Sequence, residues 1–242
     1  RLSDPCSKLA TTREWHDTAL AQELGVEDAS EDDLYAALDW LLARQERIEN
    51  KLAKKHLHEG AVVLYYLTSS SYHGRTCPLA TYGHNRDGTK LPCIAYGLLA
   101  DRQGRPVSVA VYEGHTGDPT TVPDQVDTLR ARFGLSRVVL VGDRGMLTDT
   151  QITTLREYPG VGWISALRSD AIRGLVESEA LQLSLFDAQN LAEITSADFP
   201  GERLMACYNP LLAEDRKRTR QELLDETEKR LKKIAAQVRR RR

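Results

Sequence analysis

The 242-residue chain has little cysteine, few aromatics and no long apolar run. Its four cysteines, at 6, 77, 93 and 207, form no C-x-x-C pair, which argues against a zinc knuckle or a disulfide framework. Cys77 and Cys93 have His73 and His84 nearby, but the spacing matches no common metal site, so free thiols are expected. The longest apolar runs, Val62–Tyr66 and Val138–Val141, are strand-sized and far from the roughly 20 residues of a membrane helix. With no signal peptide at the start, a cytoplasmic protein with no membrane partner is expected. The first residue is Arg1 rather than Met, which suggests a trimmed or partial reading frame. No G-x-G-x-x-G follows the first apolar run, and no acid occurs from Ala61 to Arg86.

What is present is enough for a core: 41% hydrophobic and 28% charged residues. The net charge of −2 conceals an asymmetry, because Asp215 to Arg242 carries twelve Lys/Arg against five Asp/Glu. A basic tail on an acidic body fits a nucleic-acid contact or, equally, a solvated helix.

The N-terminal 1–59 reads as helical. Ser30-Glu31-Asp32-Asp33 resembles a capping box. From Leu34 to Leu52, Leu, Ala and Ile recur at three- and four-residue intervals as one apolar face. An earlier helix is expected over about Thr12 to Leu24. The pattern changes at Gly60. Ala61–Leu67 reads as a strand, Ser69–Gly88 as a long polar loop, and Ile94–Ala100 and Val107–Tyr112 as a hairpin. A helix over Val122–Phe133 leads to a strand at Arg137–Gly142, apolar on both faces and therefore expected inside the sheet. A helix over Thr148–Glu157 and a strand over Gly162–Leu167 complete the order β, β, β, α, β, α, β. Three antiparallel strands followed by helix-linked parallel ones predict a mixed α/β sheet of the RNase H-like kind, over 60–168. A small β-containing insertion over 169–210 and a long basic helix over 211–242 follow. In that helix Leu224, Leu231 and Val238, with Thr227 and Ile234 between, lie at heptad-like spacing.

Asp143, after Val138–Gly142, stands where open α/β sheets place ligands, and it could hold a divalent metal or cap the next helix. Arg144 follows it. Arg75, Arg86 and Lys90 lie in or beside the polar loop, where they could meet phosphate or only solvent.

The sequence resembles insertion-sequence transposases of the DDE class, in the branch related to the IS-four group. Leu64–Tyr72 resembles that branch's first-strand motif, in which Asp-x-Thr-Ser follows a hydrophobic run. Gly114-His115-Thr116-Gly117-Asp118-Pro119 resembles its Gly-Asn-x-x-Asp-Pro turn. Gly142-Asp143-Arg144-Gly145-Met146 resembles its second catalytic Asp motif, and Ala95–Leu99 and Asn209–Ala213 also match. The resemblance implies DNA cleavage and strand transfer at transposon ends and target DNA, with Mg²⁺ or Mn²⁺ held by three carboxylates. It also implies a nucleoid-associated location. Here Asp143 falls on the second acid, Tyr66 replaces the first, and the third would lie beyond Arg242. One carboxylate cannot hold two ions. This chain is therefore expected to be inactive, with DNA and a second copy of itself as expected partners. Arg144, Arg75, Arg86 and Lys90 are the candidate DNA contacts. One sheet face is expected to lie partly uncovered and apolar. A non-catalytic DNA-binding or oligomerising module, or a phosphate-handling α/β enzyme, are the alternatives.

Overall fold

The computed structural model describes residues 6–17, 19–187 and 189–240. They fall into two compact units, Arg1–Ala166 and Leu167–Arg242.

The first unit opens with helices α1 (Lys8–Glu14), α2 (Leu20–Leu24), α3 (Glu31–Leu42) and α4 (Gln45–His56). The expected capping box starts α3: Asp33 N–H donates to Ser30 Oγ at 3.3 Å, and Ser30 N–H donates to Asp33 Oδ2 at 2.8 Å. These bonds hold the Asp33 carboxyl below its ordinary range. The single periodic face expected from Leu34 to Leu52 is split at Ala43–Arg44, where the chain turns into α4. The earlier expected helix is likewise two short helices joined by a 3₁₀ turn at Trp15–Asp17.

Five strands form the sheet: β1 (Ala61–Ser71), β2 (Cys93–Asp101), β3 (Pro106–Glu113), β4 (Val138–Val141) and β5 (Val161–Ile164). Their order is β3-β2-β1-β4-β5. β1, β2 and β3 pair antiparallel, while β4 lies parallel to both β1 and β5. This five-stranded mixed sheet is consistent with the RNase H-like arrangement expected from the element order. β1 extends further than its apolar run because Ser69, Ser70 and Ser71 pair with Ala95, Ile94 and Cys93. The polar loop consequently begins at Tyr72. Partner strands here override the weak β propensity of serine.

Between the strands lie α5 (Val122–Asp127), a π-helical turn at Thr128–Arg132, and α6 (Asp149–Arg156). The expected helix to Phe133 thus continues as a wider coil. Alternation sorts the sheet's faces. Val63, Tyr65 and Leu67 of β1, Leu99, Val107 and Leu140 are buried with Val126 and Leu129 near α5 and Leu155 of α6 in one core. The opposite face is less covered. Val111 is 55% exposed, Ile164 53%, Tyr66 52% and Val109 40%. The expectation of a partly open apolar face therefore agrees with the exposure of these side chains.

A buried carboxylate fastens α4 to the far edge of the sheet. Glu49 accepts from Val109 N–H at 3.0 Å, Ser108 Oγ at 3.0 Å and Gln45 Nε2 at 2.9 Å, and it pairs with Arg132 at 2.7 Å. Burial pushes this carboxyl up, but the four donors outweigh it and hold it below the ordinary value.

The second unit holds α7 (Ser169–Glu177), a hairpin of β6 (Leu191–Ile194) and β7 (Leu204–Cys207), and α8 (Pro210–Arg240). Leu175, Ile194 and Leu204 are its buried centre. No helix among the described residues is long and apolar enough to cross a membrane.

Candidate functional site

The carboxyl end of β4 lies beside the middle of β1. Their register pairs Val62 with Val139 and Leu64 with Val141. β4 ends at Val141, and Tyr66 lies two residues beyond its last partner in β1, on the face that alternation assigns to Leu64. Gly142 N–H still donates to Ile164 O at 3.1 Å, so the sheet holds the backbone up to the residue before Asp143.

Asp143 itself is exposed and forms a turn. Its Oδ1 accepts from Gly145 N–H and Met146 N–H, both at 2.8 Å. Buried Met146 and Leu147 follow and anchor the turn in the core. A short acceptor side chain of this kind closes a loop before a helix without any metal.

Tyr66 is engaged from above by the β1–β2 loop. Arg86 Nη1 donates to the Tyr66 hydroxyl at 3.3 Å, and its guanidinium carbon lies 5.3 Å from the ring centroid. Arg86 Nη2 donates to Asp118 Oδ2 in an ion pair whose two side chains are both largely covered. Asp118 begins the 3₁₀ turn Asp118–Thr121 that leads into α5. A chain of contacts therefore runs from β1 through the loop to the start of α5: phenol, guanidinium, carboxylate. A second link lies beneath it, where the buried Tyr65 hydroxyl donates to Thr121 Oγ1 at 2.7 Å. Burial pushes the Tyr65 phenol far up, so it stays neutral.

The loop at residues 72–92 is tied down along its length. Tyr72 N–H donates to Pro92 O at 2.8 Å, and Thr81 and Cys93 exchange backbone bonds at 3.1 and 2.9 Å. Ser69 Oγ accepts from Arg86 N–H at 3.1 Å. Ser71 donates to Asp87 Oδ2 through its N–H at 3.1 Å and its hydroxyl at 2.7 Å, and these bonds lower the Asp87 carboxyl. The loop also presses on the turn after β3, where a Cβ on Gly83 would stand 1.9 Å from Gly114 O. Serine at the end of β1 is thus used to hold the loop that carries Arg86.

The residues singled out by their place in the sequence separate accordingly. Tyr66 and Arg86 are brought together, and the Asp143 turn follows the end of β4. Arg144, Arg75 and Lys90 are exposed, and the last two belong to the solvent side of the loop. Arg86 is not a solvent-facing cation, as its position in a polar loop implied, but is committed to Tyr66 and Asp118. Asp118, expected as a turn former, does begin a turn and is also the counter-ion of Arg86. Nothing in the sequence signals that pair, since the two residues lie 32 positions apart on separate loops.

These residues do not fit a pair of divalent ions. Asp143 uses Oδ1 on backbone donors, β1 offers a phenol at Tyr66 and no carboxylate, and Asp118 is already matched by a guanidinium. Among the described residues, no group of three or more His, Cys, Asp or Glu is placed to hold a metal.

No family model matches the chain, and no curated protein matches it. Several solved chains are weakly similar, two of them as follows. A simian T-cell lymphotropic virus intasome in complex with the PP2A regulatory subunit B56 gamma aligns with TM-score 0.30 and 8% identity, over 51% of this chain and 40% of that one. The Mos1 transposase paired-end complex with the left transposon end aligns with TM-score 0.30 and 9% identity, over 73% of this chain and 72% of that one. The chain thus spans well under half of the intasome chain, and its similarity to both is slight.

Proposed function

We propose that this chain is a transposase-derived, DNA-binding protein that keeps an RNase H-like sheet but not its metal-dependent chemistry. The supporting observation is that β1 carries no acid, and that the β1–β4 register, which runs as far as Leu64 and Val141, would if carried on two residues set Tyr66 level with Asp143. A phenol with an unperturbed pKa of about 10 is a poor ligand for Mg²⁺. Arg86, stacked over that phenol, adds positive charge where two cations would need negative charge. The motif order around Leu64–Tyr72, Gly114–Pro119 and Gly142–Met146 supports the ancestry. The cations Arg144, Arg75 and Lys90, with the basic stretch from Asp215 to Arg242, supply phosphate-binding charge.

Two assays on the purified chain test this. It should retard duplex DNA at low salt, and added salt should reverse the binding steeply. Supercoiled plasmid should stay uncut with Mg²⁺ or Mn²⁺. Nicking that Asp143→Ala abolishes would disprove the loss of chemistry, and no retardation at any salt would disprove the DNA partnership.

A further inference from the structure

We infer that the outer face of α4 is a contact surface for the phosphate backbone of duplex DNA, through Arg47, Lys51, Lys54 and Lys55. The inference rests on the DNA-binding reading above and gives it a place on the first unit.

α4 sorts its charges by side. At about 100° per residue, Arg47, Lys51, Lys54 and Lys55 fall within roughly 100° of the helix circumference, and no other residue of α4 lies among them. All four are exposed, and the arc is bounded by Ile48 and Asn50, both partly covered. The opposite side holds the buried Glu49 and Ala53. Glu46 lies beyond Asn50, outside the arc.

The acids of the helix do not neutralise this arc. Glu49 is turned toward β3 and occupied by Arg132, Ser108 and Val109. Among the described residues, none of the four cations is in an ion pair. On α8, by contrast, Arg218, Lys229, Arg230 and Lys232 each meet an acid of their own helix.

The chemistry of the arc selects its partner. A helix binds an anionic membrane by laying its apolar side in the lipid. The apolar side of α4 is closed, since Ala53 and Leu57 are buried and Leu52 packs on the core. Protein interfaces place aromatic and apolar side chains at their centre and are depleted of lysine. Single strands are held by stacking bases on aromatic rings. The arc has no ring, and Trp40 of the preceding helix already has the Arg44 guanidinium over it at 4.1 Å. A duplex backbone needs only cations on a firm support. From Arg47 to Lys55 the helix rises about 12 Å, a length over which a duplex presents about seven phosphate charges. The support is Arg132, which donates to Asn50 Oδ1 and Glu46 O, both at 3.1 Å, while it pairs with Glu49.

The test measures binding of the full chain to a duplex of mixed sequence as salt is varied. Arg47→Gln, Lys51→Gln and Lys54→Gln combined should weaken binding at low salt by at least about tenfold, and flatten the slope of log K against log salt by about 2 to 3, because each lost phosphate contact removes about 0.9. Arg13→Gln, Arg102→Gln and Arg173→Gln combined make the same change of net charge at scattered exposed sites, and should alter the slope by less than about 1. In the unaltered chain, duplex DNA should shield Lys51, Lys54 and Lys55 from acetylation, read by mass spectrometry. If the chain binds duplex and the α4 triple leaves the slope unchanged, or the scattered triple lowers it equally, the inference falls and the DNA-binding reading stands. A chain that binds no duplex at all removes both. Shielding of these lysines by vesicles of anionic lipid and not by duplex, or by single strands in preference to duplex, would also overturn the inference.

Discussion

Arg86 stands between Tyr66 and Asp118 and donates to both, to the phenol at 3.3 Å through Nη1 and to the carboxylate through Nη2. It joins β1 to the turn that leads into α5. Arg86→Ala should lower unfolding free energy by about 1–2 kcal/mol, because it strips the largely covered Asp118 carboxylate of its described partner and frees the loop. Arg86→Lys should recover part of this, since an ammonium keeps the charge but cannot span two acceptors as a planar fork does. Urea midpoints at constant m-value measure both. A neutral Arg86→Ala would show the bridge to be ornamental.

Glu49 should matter more. Glu49→Ala leaves Arg132 without its acid and two donors of β3 without an acceptor, at a cost of about 3 kcal/mol. Denaturant melts would check this, and a loss close to zero would mean that α4 is held by other contacts.

Acid should unfold the first unit. Glu49 is depressed in the folded state, and Asp101 is held down to about 2: burial raises it, and the backbone N–H groups of Arg105 and Gln103 with the Arg105 side chain outweigh that. A carboxyl with a depressed folded value contributes stability that is present above its unfolded value, about 4, and is lost as pH falls through the folded one. Stability should therefore be flat near neutrality and fall between about pH 4 and pH 2. The Glu49→Gln variant should show a shallower fall. Stability that rises as pH drops through this window would contradict the carboxylate assignments.

Gly114 should tolerate no side chain. An added Cβ would lie 2.0 Å from Cys93 O and 2.5 Å from Thr81 O, both backbone atoms of the bridge that seats the loop. Gly114→Ala should cost about 2 kcal/mol or more and raise hydrogen exchange at Thr81 and Cys93. A variant as stable as the parent would mean the turn shifts freely.

The open sheet face should make the protein sticky. Val111→Lys should reduce binding of a hydrophobic dye and slow aggregation, with stability changed by no more than about 0.5 kcal/mol. Unchanged aggregation would locate the adhesive surface elsewhere.

The strands were legible in the sequence because β-branched runs such as Val138–Val141 state their structure locally, and the mixed sheet followed from their order. The extension of β1 through Ser69–Ser71 was not legible, since its cause is β2. Nor was the break at Ala43–Arg44, because an apolar period can pass through a turn without losing step. Asp143 was visible as an acid at a strand end, and the lack of an acid in β1 was visible as well. The role of Arg86 was hidden, because it depends on a loop folding back over β1 to meet a residue from the other side of β3.

The π-helical turn at Thr128–Arg132 has a consequence for evolution of the chain. One extra residue per coil swings Arg132 toward α4, where it reaches Glu49, Asn50 Oδ1 and Glu46 O. Deleting a single residue upstream, at Ala131, would restore an ordinary helix and rotate that guanidinium away. α4 would then keep only its direct bonds to β3 through Glu49 and Gln45, weakened by a shortening that removes no bond directly.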